Sequence, residues 1–182
     1  MQRFELGSVV AEPLSGSPHL VAAPVAALVH RLGLGNTIGV FEIDPAISET
    51  AATQARYDLD PGCLVNCVVV AGRRAGQERV AACLVPSTKR ADTNHVVRRR
   101  LDVRKVSFLA QADAVERTGM EFGGITAIGL PEGWPILVDS EVVGTPLVVI
   151  GSGIRASKLL VPGELLARLP GAEVVEALGY PG

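Results

Sequence analysis

Between Leu64 and Ala71 the chain reads Leu-Val-Asn-Cys-Val-Val-Val-Ala. This near-continuous apolar, Val-rich run reads as a strand buried on both faces. Such a strand needs a layer above it and a layer below it, which points to a sheet covered by helices. The composition agrees. Apolar residues make up 48% and charged residues 20%, but aromatics only 4%, so the core must be built from Val, Leu, Ile and Ala. With 182 residues, one domain fits and a second independent core would be cramped.

Outside that strand, punctuation organises the chain. Residues 1–17 read as an extended lead-in. Ser17 can cap a helix with Pro18 in its first turn and Gly33 at its end, and Pro24 either kinks that helix or marks its start. Thr37–Ile43 alternates as a strand, and Asp44-Pro45 opens a helix through Tyr57. A turn over Gly72–Gly76 and a strand over Arg79–Val85 complete a hairpin. Asp92 caps a helix to Leu101, strand Lys105–Leu109 follows, and helix Gln111–Thr118 stops at Gly119. Strands are expected at Ile136–Asp139, Pro146–Ile150 and Ser157–Val161, with a last helix over Pro162–Leu169. Helices and strands do not alternate strictly. The fold class expected is therefore α+β, a single compact domain with a mixed, curved sheet flanked by helices.

Charge and cysteine usage set limits on function. The net charge is −2 and the pI about 5.9, which excludes a globally basic nucleic-acid binder. A local patch remains, because seven of the 17 basic residues lie between Lys89 and Lys105; it reads equally as a solvated helix face. Cys63, Cys67 and Cys83 are an odd number with no second close Cys/His pair, so a reducing cytoplasm is expected, with neither a disulfide framework nor a zinc site. The apolar stretch Leu20–Val29 is far shorter than the ~20 residues of a membrane span, and no targeting segment is read.

Three stretches could carry chemistry. Gly123-Gly124-Ile125-Thr126-Ala127 can be a plain turn, or a loop whose backbone N–H groups approach a carbonyl oxygen or developing oxyanion. Gly151-Ser152-Gly153-Ile154-Arg155 follows an apolar strand and can be a tight turn or a cradle for a phosphate or 3′-terminal ribose. It is neither a P-loop nor a dinucleotide fingerprint. Asn66 is a lone amide in an apolar run, where a lost partner costs ~1–3 kcal/mol, so it is either bonded locally or aimed into a polar pocket. His19, His30 and His95 show no ligand or catalytic spacing.

Taken in order, four stretches resemble the YbaK/EbsC family, which also supplies the editing insertion of bacterial prolyl-tRNA synthetases. They are Leu64–Val70, the basic helix leading into Val103-Arg104-Lys105-Val106-Ser107-Phe108-Leu109, Thr118-Gly119-Met120-Glu121-Phe122-Gly123-Gly124-Ile125-Thr126, and Val149-Ile150-Gly151-Ser152-Gly153-Ile154-Arg155. The resemblance runs from about Thr37 to Leu169. It implies an N-terminal extension and helix packed on the core over residues 1–36 and an editing domain over 37–182. It also implies hydrolysis of the ester between tRNA and a wrong amino acid, with no metal, cofactor or covalent nucleophile. Two departures stand out. Family deacylases usually place a lysine where this chain has Asn66, and a proline where it has Ala127. An amide lacks the ammonium's charge, and losing proline relaxes the loop.

The expected function is that of a freestanding, trans-acting aminoacyl-tRNA deacylase of the cytoplasm. The alternative is a non-catalytic module of the same fold that recognises a tRNA end, nucleotide or amino acid. The expected carbonyl site is Gly123, Gly124 and Thr126 with Asn66. The expected terminal-adenosine or phosphate site is Gly151, Ser152, Gly153 and Arg155. Lys89, Arg98, Arg100 and Arg104 are expected on the tRNA backbone. DNA and membrane are not expected partners; an aminoacyl-tRNA synthetase and a second copy of the chain are left open.

Overall fold

The structure is a computed structural model and describes residues 3–182. Residues 4–13 are strands where a lead-in is expected. β1 (Phe4–Leu6) and β2 (Val9–Pro13) form an antiparallel hairpin turning at Gly7, whose φ of +56° suits glycine. Their alternation of buried and exposed residues follows the period of two that a half-buried strand requires. α1 (Ala23–Arg31) carries Pro24 in its first turn, so that proline marks a start and makes no kink; Pro18 opens a separate 3₁₀ turn. Val25 and Val29 lie one turn apart and bury the same face of α1.

β3 (Gly39–Glu42) precedes α2 (Thr50–Tyr57). Asp44 caps a 3₁₀ turn before α2, and Glu49 stands at the N-terminus of the helix itself. β4 (Val65–Arg74) and β5 (Gln77–Pro86) pair in register along their whole length, and the turn is confined to Ala75 and Gly76, both at positive φ. β6 (Lys89–Ala91) leads to Asp92, whose side chain accepts from His95 N and caps a π turn running into α3 (Arg98–Leu101). β7 (Val106–Phe108) and α4 (Gln111–Thr118) follow; Gly119, at φ +67°, ends α4 where the sequence places the stop. The remaining elements are β8 (Ile136–Asp139), α5 (Ser140–Gly144), β9 (Val148–Gly151), β10 (Ser157–Val161), α6 (Gly163–Leu166), β11 (Ala172–Val175) and β12 (Gly179–Pro181).

Ten strands pair as a curled mixed sheet in two five-stranded halves, ordered β1-β2-β3-β10-β9 and β11-β8-β5-β4-β7, while β6 and β12 form a separate antiparallel pair. The first half is antiparallel throughout; in the second, β8 runs parallel to both β5 and β11. Among the described residues one isolated bridge, Leu64 to Val149, joins the halves. The main core lies between them, filled by Val25, Leu84, Val138, Leu159 and Leu166 among others. Each fully buried Leu or Val contributes about 1.5–3 kcal/mol. A second cluster covers the other face of the hairpin with Val97, Leu101 and Val103.

The strand buried on both faces is β5, sealed from Val80 to Pro86, and not β4. On β4, residues Asn66, Cys67 and Val68 are only half-buried. They are the wall of a cleft.

Candidate functional site

The cleft, of about 760 Å³, opens between the N-terminus of α2, the first half of β4, and the loop that follows α4. Ser48, Glu49 and Thr50 form one side, Phe108 and Phe122 the rim, and Gly123, Ile125, Gly151 and Lys158 the floor. Phe108 and Phe122 are 73% and 52% exposed, although the chain has few aromatics to spare from its core.

The two glycine-rich stretches meet as one unit. A Cβ on Gly124 would sit 2.7 Å from the backbone of Ile154, and one on Gly151 would sit 2.5 Å from Gly124 O. Only glycine lets the loops approach this closely. Gly153 N donates to Gly124 O at 2.7 Å, Glu121 N donates to Gly153 O at 2.9 Å, and the Glu121 carboxylate accepts from Arg155 N at 2.6 Å. Gly124 N is occupied by Glu121 O, which leaves the N–H groups of Gly123 and Ile125 without a partner among the described residues.

Asn66 satisfies both readings of its sequence context. It lines the cleft, and its Oδ1 accepts from Thr50 Oγ1 at 2.7 Å. Gly123 and Gly124, expected at the carbonyl site, and Gly151, expected at the terminal-adenosine site, come together. Arg155 is half-buried beside Gly123, its Nη2 donating to Pro45 O at 3.1 Å. Thr126 is fully buried away from the cleft with an unpartnered hydroxyl. Ser152 is also buried away from it: its hydroxyl donates to Ser157 O at 3.0 Å, while Ser157 Oγ donates to Leu20 O. Gly153 packs under Ala22 and Val25. Ser152 and Gly153 thus brace the loops, and the Thr126 hydroxyl meets neither the cleft nor a partner among the described residues. Ala127 is 1% exposed in the main core, so burial fixes the position where proline is usual.

The basic residues separate. The Lys89 side chain is 16% exposed and contacts Glu141 at 2.6 Å and Asp139 at 3.9 Å, while Arg100 pairs with Glu173. Arg98 and Arg104 are exposed and form no ion pair among the described residues. Arg104 shares a concavity at the β4–β5 turn with Arg73 and Arg74.

Sequence reasoning missed Lys158. It lies on β10 at 8% exposure, directly opposite Gly151 in the β9–β10 register, and faces the cleft with no ion pair or hydrogen bond among the described residues. Burial, and secondarily the Arg155 guanidinium, push its amine down to about 8. A lysine inside Ser-Lys-Leu-Leu-Val was the available signal, because an apolar strand seldom buries an ammonium without cause. Ser48, whose buried hydroxyl also lacks a partner, carried no such signal.

Beside acceptors such as the Glu49 carboxylate and the Gly123 and Ile125 carbonyls, the donors without a partner among the described residues include two backbone N–H groups, the Ser48 hydroxyl and the Lys158 ammonium. They suit a ligand rich in acceptor oxygens, with Glu49 near for a cationic group. Cys67 also lines the cleft, but burial pushes its thiol up to about 12, and Cys83 likewise, so Cys67 stays protonated at neutral pH and is a poor nucleophile. Among the described residues, no three His, Cys, Asp or Glu side chains gather to hold a metal ion, and no helix is long and apolar enough to cross a membrane.

Comparison with known proteins places this architecture. A family model described as an aminoacyl-tRNA editing domain matches residues 44–169, and the chain belongs to that family. A structure provisionally described as a trans-editing enzyme for prolyl tRNA synthetase is 20% identical, with a TM-score of 0.73 over 87% of this chain and 96% of that one. A protein described only as hypothetical is also 20% identical, with a TM-score of 0.75 over 86% and 99%. No curated protein matches.

Proposed function

We propose that the chain is a freestanding, cytoplasmic deacylase that hydrolyses the ester of a mischarged aminoacyl-tRNA in this cleft, without a metal ion. The observation that carries the reading is the convergence of unpartnered donors on the cleft floor, where the Gly123–Ile125 loop lies against Gly151. An aminoacyl ester fits that polarity. Its carbonyl oxygen accepts from the N–H groups of Gly123 and Ile125, its α-ammonium lies toward Glu49, and the Asn66 amide orients the group between them. Donors held in place before the reaction stabilise charge that develops in the transition state, at no cost of reorganisation. Water is the nucleophile.

Phe108 and Phe122 at the rim offer faces for the terminal bases, each stacked base being worth about 1–3 kcal/mol. Arg98, Arg104 and Arg73 hold the backbone. Because a neighbour in fold is provisionally described as serving prolyl tRNA synthetase, proline tRNA carrying a wrong amino acid is the first substrate to test, and that synthetase the first partner.

The test is release of free amino acid from a panel of minihelices ending in CCA, one for each standard amino acid. Turnover of at least one supports the reading. Tight binding with no release on any member sinks it in favour of a recognition module.

A further inference from the structure

We propose that Lys158 is a catalytic residue of this cleft: its ammonium binds the carbonyl oxygen of the aminoacyl ester and holds the negative charge that collects there. The inference rests on the deacylase reading and adds the charged group that Asn66 does not supply.

Register fixes the placement. Lys158 stands opposite Gly151 on β9, and opposed residues of an antiparallel pair share a face. Gly151 is itself pressed against Gly124 O and Ile125 O, so the Lys158 side chain emerges beside the loop whose N–H groups are free. Ser48, with its unpartnered hydroxyl, borders the same space. Among the described residues no carboxylate pairs with this lysine, and Arg155 nearby repels it. A buried, unpaired ammonium destabilises a fold, and it is retained here where the cleft presents it to a ligand.

The step balances as an ester hydrolysis. Water adds to the carbonyl carbon, and the carbonyl electron pair moves to oxygen, where Lys158 and the N–H groups of Gly123 and Ile125 hold it. Collapse breaks the bond to the ribose oxygen, which leaves with the electron pair and takes up the proton lost by water. The products are a free amino acid and a tRNA end with its hydroxyl restored.

Wild type, Lys158→Met and Lys158→Arg are compared on the minihelix panel under single-turnover conditions, with melting curves and affinity for the uncharged minihelix measured alongside. Lys158→Met is expected to melt no lower than wild type and to bind the uncharged minihelix equally well. Hydrolysis should slow on the order of 10²–10³-fold for every aminoacyl group that wild type accepts, the usual loss for one oxyanion donor, with partial recovery in Lys158→Arg. Undiminished hydrolysis overturns the role. So does a loss matched by weaker minihelix binding, which makes Lys158 a phosphate ligand, or a loss confined to acidic aminoacyl groups, which makes it a side-chain reader. A wild type that hydrolyses no member removes the deacylase reading itself, and this role with it.

Discussion

Lys89 and Lys158 each stand on a short strand with the side chain largely withdrawn from water. Lys89, on β6, reaches Glu141 at 2.6 Å and approaches the fully buried Asp139 at 3.9 Å. Asp139 also accepts from Glu141 N at 2.9 Å, capping α5, and from Gly179 N at 2.8 Å on β12. Lys89 thus helps tie β6, α5 and β12 together. Lys158 has no such partner among the described residues, and the nearby Arg155 guanidinium has the same sign. Burial costs both ammoniums their hydration; only one recovers it inside the protein. The paired lysine belongs to the scaffold, and the unpaired one waits for a ligand.

Removing each amine should therefore move stability in opposite directions, and this is the largest effect expected. The Lys158 amine titrates near 8 against 10.5 for an ordinary lysine, so its charged form costs the native state on the order of 3 kcal/mol at neutral pH. Lys158→Met removes that cost and should raise the melting temperature by several degrees. Lys89→Met leaves Asp139 with only its backbone donors and should cost about 1–3 kcal/mol. Thermal melts at pH 7 check both signs; a fall in both variants would erase the distinction.

A smaller effect concerns Asn66, which faces the same cleft. Alone, Asn66→Lys sets a second ammonium near the first and should add little to turnover. Combined with Lys158→Met, it should recover hydrolysis by about tenfold, the value of one charge-assisted hydrogen bond of roughly 1.4 kcal/mol. The four proteins form a double-mutant cycle on single-turnover rates. Equal effects of Asn66→Lys in both backgrounds would show that the positions do not share a task.

The pH dependence sharpens the contrast further. Lys158 titrates near 8 when folded and near 10.5 when unfolded, so between these values the unfolded chain binds more protons and stability rises with pH. Cys67 and Cys83 act oppositely. Their thiols are raised from 9 to about 12, so the unfolded chain loses their protons first and stability falls as pH approaches 9 and passes it. From pH 8 to 9 the Lys158 gain of about 1 kcal/mol is set against a loss of about 0.7 kcal/mol from the two thiols, so denaturant titrations of wild type should show a net gain of only about 0.3 kcal/mol. Lys158→Met should show the loss alone, and Lys89→Met should keep the net gain.

Why the sequence pointed to Lys89 and passed over Lys158 has a physical reason. Signals that are local in the chain were legible: Gly119 ending α4, Asp92 capping its turn, the β4–β5 hairpin, and the strands at Ile136–Asp139 and Ser157–Val161. The Gly123-Gly124 and Gly151 stretches were legible as candidate loops because glycine pairs punctuate sequence. Lys158 was not, because its orientation depends on pairing with β9 and β3 and on a cleft whose other walls lie about a hundred residues away. The β1–β2 hairpin was the opposite case. Its alternation was present, but Pro13, Gly16 and Pro18 drew attention to the turn signals just beyond it.

The smallest effect separates paired from free cations on the surface. Lys89 is held by Glu141, and Arg100 by Glu173, whereas Arg98 and Arg104 carry no ion pair among the described residues. A cation already neutralised by a carboxylate displaces fewer counterions when a phosphate arrives, so it contributes less to the salt dependence of RNA binding. Each exposed pairing with a phosphate is worth under about 1 kcal/mol. Arg98→Ala combined with Arg104→Ala should therefore weaken uncharged tRNA binding only a few-fold near physiological salt. The slope of log affinity against log salt should nevertheless flatten by nearly two, about 0.9 for each phosphate no longer neutralised. Lys89→Ala should leave that slope where it was while lowering the melting temperature. Affinities measured by anisotropy across a salt series decide it: an unchanged slope in the double variant would make Arg98 and Arg104 solvated surface, and a flattened one in Lys89→Ala would place that lysine on the RNA after all.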